Sequence, residues 1–582
     1  MLSQAYGSFS FVLHSHLPYV IAHGKWPHGM DWLNEAAAET YIPILNVLNE
    51  MVEEGLQPKL TIGITPILTE QLADEAFKSE FLSYLQNKIE AAIEDLKQFE
   101  KYGQAHMVKL AKMWQDYYTK IKVDFEVKYH YDIVGAYREL LDDGYLDILT
   151  CGATHGYFPL LSQDISIQAQ VKMAVKAHKR HYGRQPRGIW LPECAYRPRY
   201  KWAPPVESNV GTKPYPRKGV DEFLSENGLE YFIVDSHLLK GGKAIGVYID
   251  RFDALKRLWA QYEKEFEYTT QEEDFEKTPY ELYLVSSSPE GKKPVAIFTR
   301  DPKTGLQVWS GEHGYPGDGW YLDFHKKHFP GGHRYWRITS AKSDLADKEP
   351  YDPKIPPQRI KENADHFVWL VKTILRERYE ATGSQGMLTA PFDAELFGHW
   401  WFEGPAFLKL VLSKMASDPE IELSTCTEVL DKKQPTQVIS LPEGSWGEGG
   451  HHFIWLNENT SWTWKHIYND ELRMQKLAQA LGGKKDGKLQ DILKQAAREL
   501  LLLQSSDWQF LISTWAARDY AELRFQKHDN DFNRLADMAE EYAKSGKLDD
   551  GSWKLLEDVK ARDKIFPDIE LDWFKGMEFP AD

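Results

Sequence analysis

Short apolar runs recur along the first three quarters of the chain: SFSFVLH at 8–14, KLTIGIT at 59–65, LDILTC at 146–151, RGIWLP at 187–192, EYFIVD at 230–235, VAIFT at 295–299, MLTAPF at 387–392 and IELST at 421–425. Runs of this length and character are the signature of buried strands. Helical periodicity fills most of the intervals, as in TYIPILNVLNEMVEEG at 40–55 and DEFLSENG at 221–228. Strand and helix in alternation predict an α/β fold with a parallel sheet and right-handed crossovers, and this many units favour a barrel over an open sheet. After about residue 435 the strand signal fades and helices dominate, at 486–504, 532–546 and 552–566. The expected organisation is a barrel over 1–435 and a helical C-terminal domain over 436–582. Two stretches break the alternation, a Pro-rich basic one at about 196–220 and a charged aromatic one at about 250–290. Both read as insertions over the barrel mouth or its outer surface.

His14, His16, His155, Glu193, Asp235, Asp301 and Asp393 fall at or just beyond the C-terminal ends of apolar runs. In a parallel barrel those ends converge on one face, where such folds keep their chemistry. Polar residues follow strands in any protein because loops are polar, but seven together, mostly His and carboxylate, favour a site. Glu193, in IWLPECAY, has the plainer alternative of a surface ion pair with Arg197 or Arg199. Asp393, in TAPFDAELFGHWWFEGP, precedes Glu395, His399, Trp400 and Trp401 and has the alternative of a helix cap. As a pair that only the fold could bring together, they match the two carboxylates of a retaining glycosidase.

Composition sharpens this. Aromatic residues make up 13% of the 582 residues although hydrophobic residues reach only 42%, an excess of rings suited to stacking on sugars. With 70 basic against 87 acidic residues, the net charge of −17 argues against nucleic acid and for a neutral ligand. Cys151, Cys194 and Cys426 are scattered and form no CxxC pair, so neither a disulfide framework nor a thiolate zinc site is expected. The N-terminus lacks a basic leader region, and no stretch approaches the ~18 apolar residues of a membrane helix. A cytoplasmic protein without a membrane partner is expected. His14 and His16 share one strand face and, with His155, could offer rings to a cation. No further ligands are marked by spacing, so hydrogen bonding to sugar hydroxyls is the preferred role and no metal is assigned.

At this point the motifs HSHLPYV (14–20), GATHGYFP (152–159), WLPECAY (190–196) and FDAELFGHWWFEGP (392–405) resemble, in this order, the sequence regions of glycoside hydrolase family 57. The intact WLPECAYRP and ELFGHWWFEGP, the stretch LQVWSGEHGYPGDGWYLDFH (306–325) and the segment SSDWQFL (505–511) look most like its 1,4-α-glucan branching members, which cleave α-1,4 chains and transfer the segment to a 6-hydroxyl. The resemblance implies an incomplete (β/α)7 barrel, a helical C-terminal domain contributing to the glucan cleft, a retaining mechanism, α-glucan donor and acceptor, and neither cofactor nor metal. With eight apolar runs, one should then lie outside the barrel. By motif, Glu193 corresponds to the nucleophile and Asp393 to the general acid/base, at a separation of about 5 to 5.5 Å. His14, His16 and His155 correspond to residues lining the donor site, and Asp235 to a further active-site carboxylate. Trp32, Trp309, Trp400, Trp446 and Trp455 fall among the aromatic residues around the cleft. Tyr248 is the nearest match to a functional loop tyrosine, although the insert at about 250–290 departs from the family pattern there. The alternatives are a 4-α-glucanotransferase or α-amylase of the same family, a metal-dependent hydrolase or deacetylase, and a non-catalytic glucan-binding protein.

Overall fold

The computed structural model describes residues 5–240, 277–288, 293–310 and 314–576. Tyr248 lies outside the described residues.

Twelve strands are formed among the described residues: β1 (Gly7–Ser15), β2 (Leu60–Ile64), β3 (Leu146–Leu149), β4 (Gly188–Ile189), β5 (Tyr200–Trp202), β6 (Tyr215–Arg217), β7 (Tyr231–Val234), β8 (Tyr283–Val285), β9 (Val295–Thr299), β10 (Gly386–Asp393), β11 (Ile421–Leu423) and β12 (Val438–Ile439). Every one of the eight apolar runs contains a strand. One parallel sheet runs β10, β1, β2, β3, and a second contains β9, β7 and β4 in parallel. Two single bridges join the sheets, Thr150 with Ile189 and Arg300 with Thr389. Backbone hydrogen bonds reinforce them, Trp190 N to Thr150 O at 2.9 Å and Asp301 N to Thr389 O at 3.0 Å.

The eighth apolar run, β11, is a side strand. It pairs with residues 7–9 of β1, whereas β2 pairs with residues 12–15, so β11 covers the stretch of edge that the later start of β2 leaves open. On the other side of the fold β8 runs antiparallel to residues 295–297 of β9, below the Arg300 bridge, and β12 pairs with β8. The described end of the 250–290 stretch therefore lies within a sheet, between β9 and β12. Residues 196–220 carry the antiparallel hairpin of β5 and β6. That hairpin is tied down by Arg217, whose Nε donates to Asp164 Oδ1 at 2.5 Å and whose Nη1 donates to Leu161 O at 2.8 Å.

Period-two alternation divides the strand side chains between two apolar cores. Val12, Leu149, Trp190, Tyr231, Ile233, Ala296, Phe298 and Met387 pack with one another. Phe9, Phe11, Leu13, Phe232, Val234 and Ile297 pack instead into the large core shared with the helices. The face that carries Val12 therefore carries His14, and the face with Phe298 carries Arg300.

The C-terminal helices are Ser461–Leu481, Gly487–Leu503, Asp507–Thr514, Arg518–Ser545 and Asp550–Arg562. They dock on the loops that follow β1 and β3. Tyr19 Oη donates to Arg562 O at 3.2 Å, Ser506 N donates to His155 O at 3.1 Å, and buried His23 meets buried Asp563 at 2.5 Å. No helix among the described residues is long and apolar enough to cross a membrane. All three cysteines are free and buried.

Candidate active site

A cavity of about 1290 Å³ opens where the C-terminal ends of the strands meet the C-terminal helices, and both Glu193 and Asp393 lie on its wall. Asp393 ends β10, in register with His14 of β1. Glu193 stands in a tight turn, Pro192–Cys194, with φ 60° and ψ 25°. A non-glycine residue in the left-handed region is costly, and such strain gathers at functional sites. The turn is held by Trp446, whose backbone N donates to Glu193 O at 3.0 Å and whose indole Nε1 donates to Glu193 Oε2 at 2.7 Å. Burial pushes the Glu193 carboxyl up to about 8; the Trp446 hydrogen bond opposes this, and the charges of Asp393 and Asp507 add to it. The ion pair with Arg197 or Arg199 does not form: Arg199 holds Glu222 at 2.5 Å, and Arg197 is buried against the ring of Tyr200.

Three histidines form a layer beside Glu193. His14 Nε2 and His155 Nε2 are 3.2 Å apart, and His155 Nδ1 lies 2.8 Å from Ser506 Oγ. The His16 ring stacks on His155 with centroids 3.8 Å apart, and His14 stacks on Trp190 at 4.6 Å. Burial, then repulsion from the neighbouring rings, holds His14 and His155 well below the usual histidine range, so both are neutral. His155 too has positive φ, 60°. His16 Nε2 meets Asp507 Oδ2 at 2.9 Å, its Nδ1 meets Thr65 Oγ1 at 3.1 Å, and its backbone N donates to Glu395 Oε1 at 3.1 Å. Burial would raise Asp507, but His16 outweighs it and brings the carboxyl down to about 2. One ligand atom from each of His16, His155 and Asp507 falls within 4.8 Å of the others, and the same holds for His14, Cys151 and His155. In the first set His16 Nε2 and Asp507 already satisfy each other.

Trp309, Trp446, Trp32 and Trp400 also line the cavity. Trp400 is 36% exposed, with one face of its ring lying nearly parallel to Phe324 at 5.7 Å. Trp32 is wedged against His28 and Tyr520. Trp446, only 8% exposed, is turned toward Glu193 and Trp190. Three residues from strand ends or the aromatic set stand off the wall. Trp455 is buried, stacked on Tyr157 at 4.4 Å. Asp301 caps the helix Pro302–Trp309 through Thr304 N at 2.7 Å. Asp235 is buried and pairs with Arg300 at 3.2 Å. Five carboxyls not anticipated as site residues join the wall, Asp31, Glu35, Asp323, Glu395 and Asp507. Glu395 accepts from Tyr41 Oη at 2.5 Å, and burial lifts it to about 8. Its place two residues after Asp393 was the available signal for Glu395; Asp507 lies in the SSDWQFL segment that carries the resemblance, but only the fold brings it to His16.

Residues 10–442 match the sequence model of Glycosyl hydrolase family 57. The chain belongs to glycosyl hydrolase family 57. Residues 466–574 match a second model, 1,4-alpha-glucan branching enzyme, C-terminal. The chain is 42% identical over 563 residues to the 1,4-alpha-glucan branching enzyme TK1436 of Thermococcus kodakarensis, covering 96% of this chain and 77% of that protein. The fold is similar to the crystal structure of the family 57 branching enzyme of Pyrococcus horikoshii, with TM-score 0.87 and 39% identity over 99% of this chain and 98% of that one. It is also similar to the α-amylase AmyC of Thermotoga maritima, with TM-score 0.78 and 29% identity over 98% and 100% of the two chains. In this family 57 chain the first matched region supplies the histidines, Glu193 and Asp393, the second supplies Asp507, and Trp446 lies between the two.

Proposed function

We propose that the protein is a 1,4-α-glucan branching enzyme that works by retaining double displacement. The observation that carries this reading is the placement of Glu193 and Asp393 on one cavity wall that the branching-type C-terminal region, through Asp507, completes. The strand order β1, β2, β3, β4, β7, β9, β10 and back to β1 supports an incomplete (β/α)7 barrel, splayed between β9 and β10, where β8 and β12 fill the gap. We divide the chain into this barrel, over 1–435, and the helical domain, over 436–582.

In the first step the Glu193 carboxylate bonds to C1 of an α-1,4-linked glucose unit as the C1–O4 bond breaks, and O4 takes the proton of Asp393. In the second, the 6-hydroxyl oxygen of an acceptor glucan attacks C1, its proton passes to Asp393, and Glu193 leaves as carboxylate. Two adjacent carboxyls in a buried site share one proton. Burial favours that proton on Glu193, so donor binding has to shift it to Asp393, with Trp446 stabilising the ionised Glu193. The neutral His14 and His155 offer ring nitrogens to sugar hydroxyls without adding charge. Water competes with the acceptor at the second step, and an acceptor held on the exposed ring of Trp400 gains the effective molarity that water lacks.

Incubating amylose with the protein and counting α-1,6 linkages by proton NMR tests the proposal. New α-1,6 linkages that vanish in Glu193→Gln are the expected result. Release of reducing ends with no new linkages would make the protein an amylase, the reading favoured by the similarity to AmyC.

A further inference from the structure

Behind the cavity wall stands a buried cation that touches neither carboxyl of the site. Arg300, 2% exposed, follows β9 and sits beside Asp235, which follows β7 and is 1% exposed. Arg300 Nη1 lies 3.2 Å from Asp235 Oδ2. The other oxygen of Asp235 accepts from Ser236 Oγ at 3.2 Å and lies 3.5 Å from His237 Nδ1. The stem of Arg300 passes Gly305, where a Cβ would meet Arg300 Cδ at 3.3 Å. This path delivers the guanidinium carbon to 5.1 Å from the centroid of the Trp446 ring. Trp190 and Trp309 pack against the same indole at steep angles, with centroids 5.1 Å and 6.4 Å away. The indole thus meets a cation on its ring and Glu193 Oε2 at its N–H, 2.7 Å away.

We propose that Arg300, anchored by Asp235, is a positioning residue for the transfer reaction: it braces Trp446 and polarises the indole N–H that holds the nucleophile Glu193. A cation against an aromatic ring withdraws electron density from it. The Nε1–H becomes a stronger donor, and a stronger donor favours the carboxylate form of its acceptor. The effect opposes burial, which favours the protonated, unreactive form. Asp235 keeps the guanidinium in place and makes its burial tolerable. The inference rests on the nucleophile assignment of Glu193 made above.

The other groups facing Glu193 are Asp393 after β10, Asp507 on the C-terminal helix, His155 with its Nδ1 4.0 Å from Glu193 Oε1, Cys151 after β3, Tyr157 and the adjoining Cys194. Of these, Cys194 also feels the opposed charges of Arg300 and Asp235, and burial holds its thiol well above the usual range, so it stays neutral and the pH dependence of activity reads the contribution of Arg300. The test uses the full chain carrying Arg300→Gln with Asp235→Asn, which removes the cation without orphaning its carboxylate, alone and combined with Trp446→Phe. The alkaline limb of kcat/KM on amylose is expected to move to higher pH by roughly half a unit in the Trp446 background, with activity below the limb lowered about three-fold because the shared proton stays on Glu193 more of the time. No further movement is expected in the Trp446→Phe background, where the N–H is gone. A limb that stays in place, or that moves equally in both backgrounds, would overturn the proposal. If the double variant does not fold, Arg300→Lys decides by the same comparison, since an ammonium cannot lie flat against the indole: a shift only where Trp446 is present supports the role, and no shift or an equal one overturns it. Failure of the underlying assignment is read separately, as transfer activity surviving in Glu193→Gln.

Discussion

Replacing Trp446 by Phe separates two functions that an indole in a glucan cleft can have. The substitution keeps an aromatic ring against Trp190 and Trp309 but removes the Nε1–H that lies 2.7 Å from Glu193 Oε2. A hydrogen bond to a charged group contributes about 1.5 to 3 kcal/mol, which corresponds to roughly one to two pKa units. Burial already lifts Glu193 to about 8, with the Trp446 bond opposing that rise, so its loss raises the carboxyl further. The pair holds a single proton, which Asp393 must donate, so activity falls as pH rises through this ionisation; the alkaline limb of kcat/KM should move up by about one to two pH units, while activity below it drops because the proton stays on Glu193 more of the time. On the plateau below the alkaline limb this is a fall of about 10- to 100-fold. Transfer and hydrolysis pass through the same glycosyl-enzyme, so both should fall by the same factor. The assay follows α-1,6 linkages by proton NMR and reducing ends in parallel from about pH 5 to about pH 11, which spans the limb before and after the shift. An unmoved limb together with a selective loss of branching would refute this reasoning and make Trp446 an acceptor platform.

Three further outcomes are expected. Glu193→Gln abolishes branching and hydrolysis; because the folded-state value of about 8 lies above the ordinary 4.5, the native carboxyl favours the fold below pH 4.5 and loses that contribution as pH rises toward 8. The variant should therefore melt higher than the native protein by a few degrees at pH 8, with a smaller gain at pH 5, and equal melting curves at pH 8 would exclude the buried ionisation. Trp400→Ala removes a platform that serves an acceptor sugar and not water, so branching should fall about 5- to 30-fold more than reducing-end release, a relative barrier of ~1 to 2 kcal/mol, read from the same two assays. EDTA should leave activity on amylose unchanged; loss on chelation with recovery on adding zinc would instead make His16, His155 and Asp507 a metal site.

Element type and burial were legible because both are local properties. A continuous apolar run such as VAIFT has one stable use in a folded chain, and all eight such runs contain strands. The ends of those runs located His14, His16, His155, Glu193 and Asp393 on the cavity wall, since parallel strands carry their C-terminal ends to a common face. The same rule could not tell a residue on the wall from one behind it. Asp235 and Asp301 also follow strands, yet one is buried beside Arg300 and the other caps a helix. The difference depends on which neighbours each side chain meets across the sheet, and those neighbours come from other strands.

Trp446 and Trp455 look alike in sequence, nine positions apart in an aromatic stretch. Only the folded chain sends one indole to Glu193 and buries the other against Tyr157. The sequence by itself determined that this chain forms strands and helices in alternation, that carboxylates and histidines stand at strand ends, and that aromatic rings abound. The tertiary structure decided the partnerships: Trp446 on Glu193, Arg300 on Trp446, and Asp507 on His16 from the far end of the chain. The physical reason is range. Hydrophobic periodicity records what each residue needs within its own element, while the strength of a charge or a hydrogen bond is set by distances of about 3 to 5 Å that exist only after remote segments have packed together.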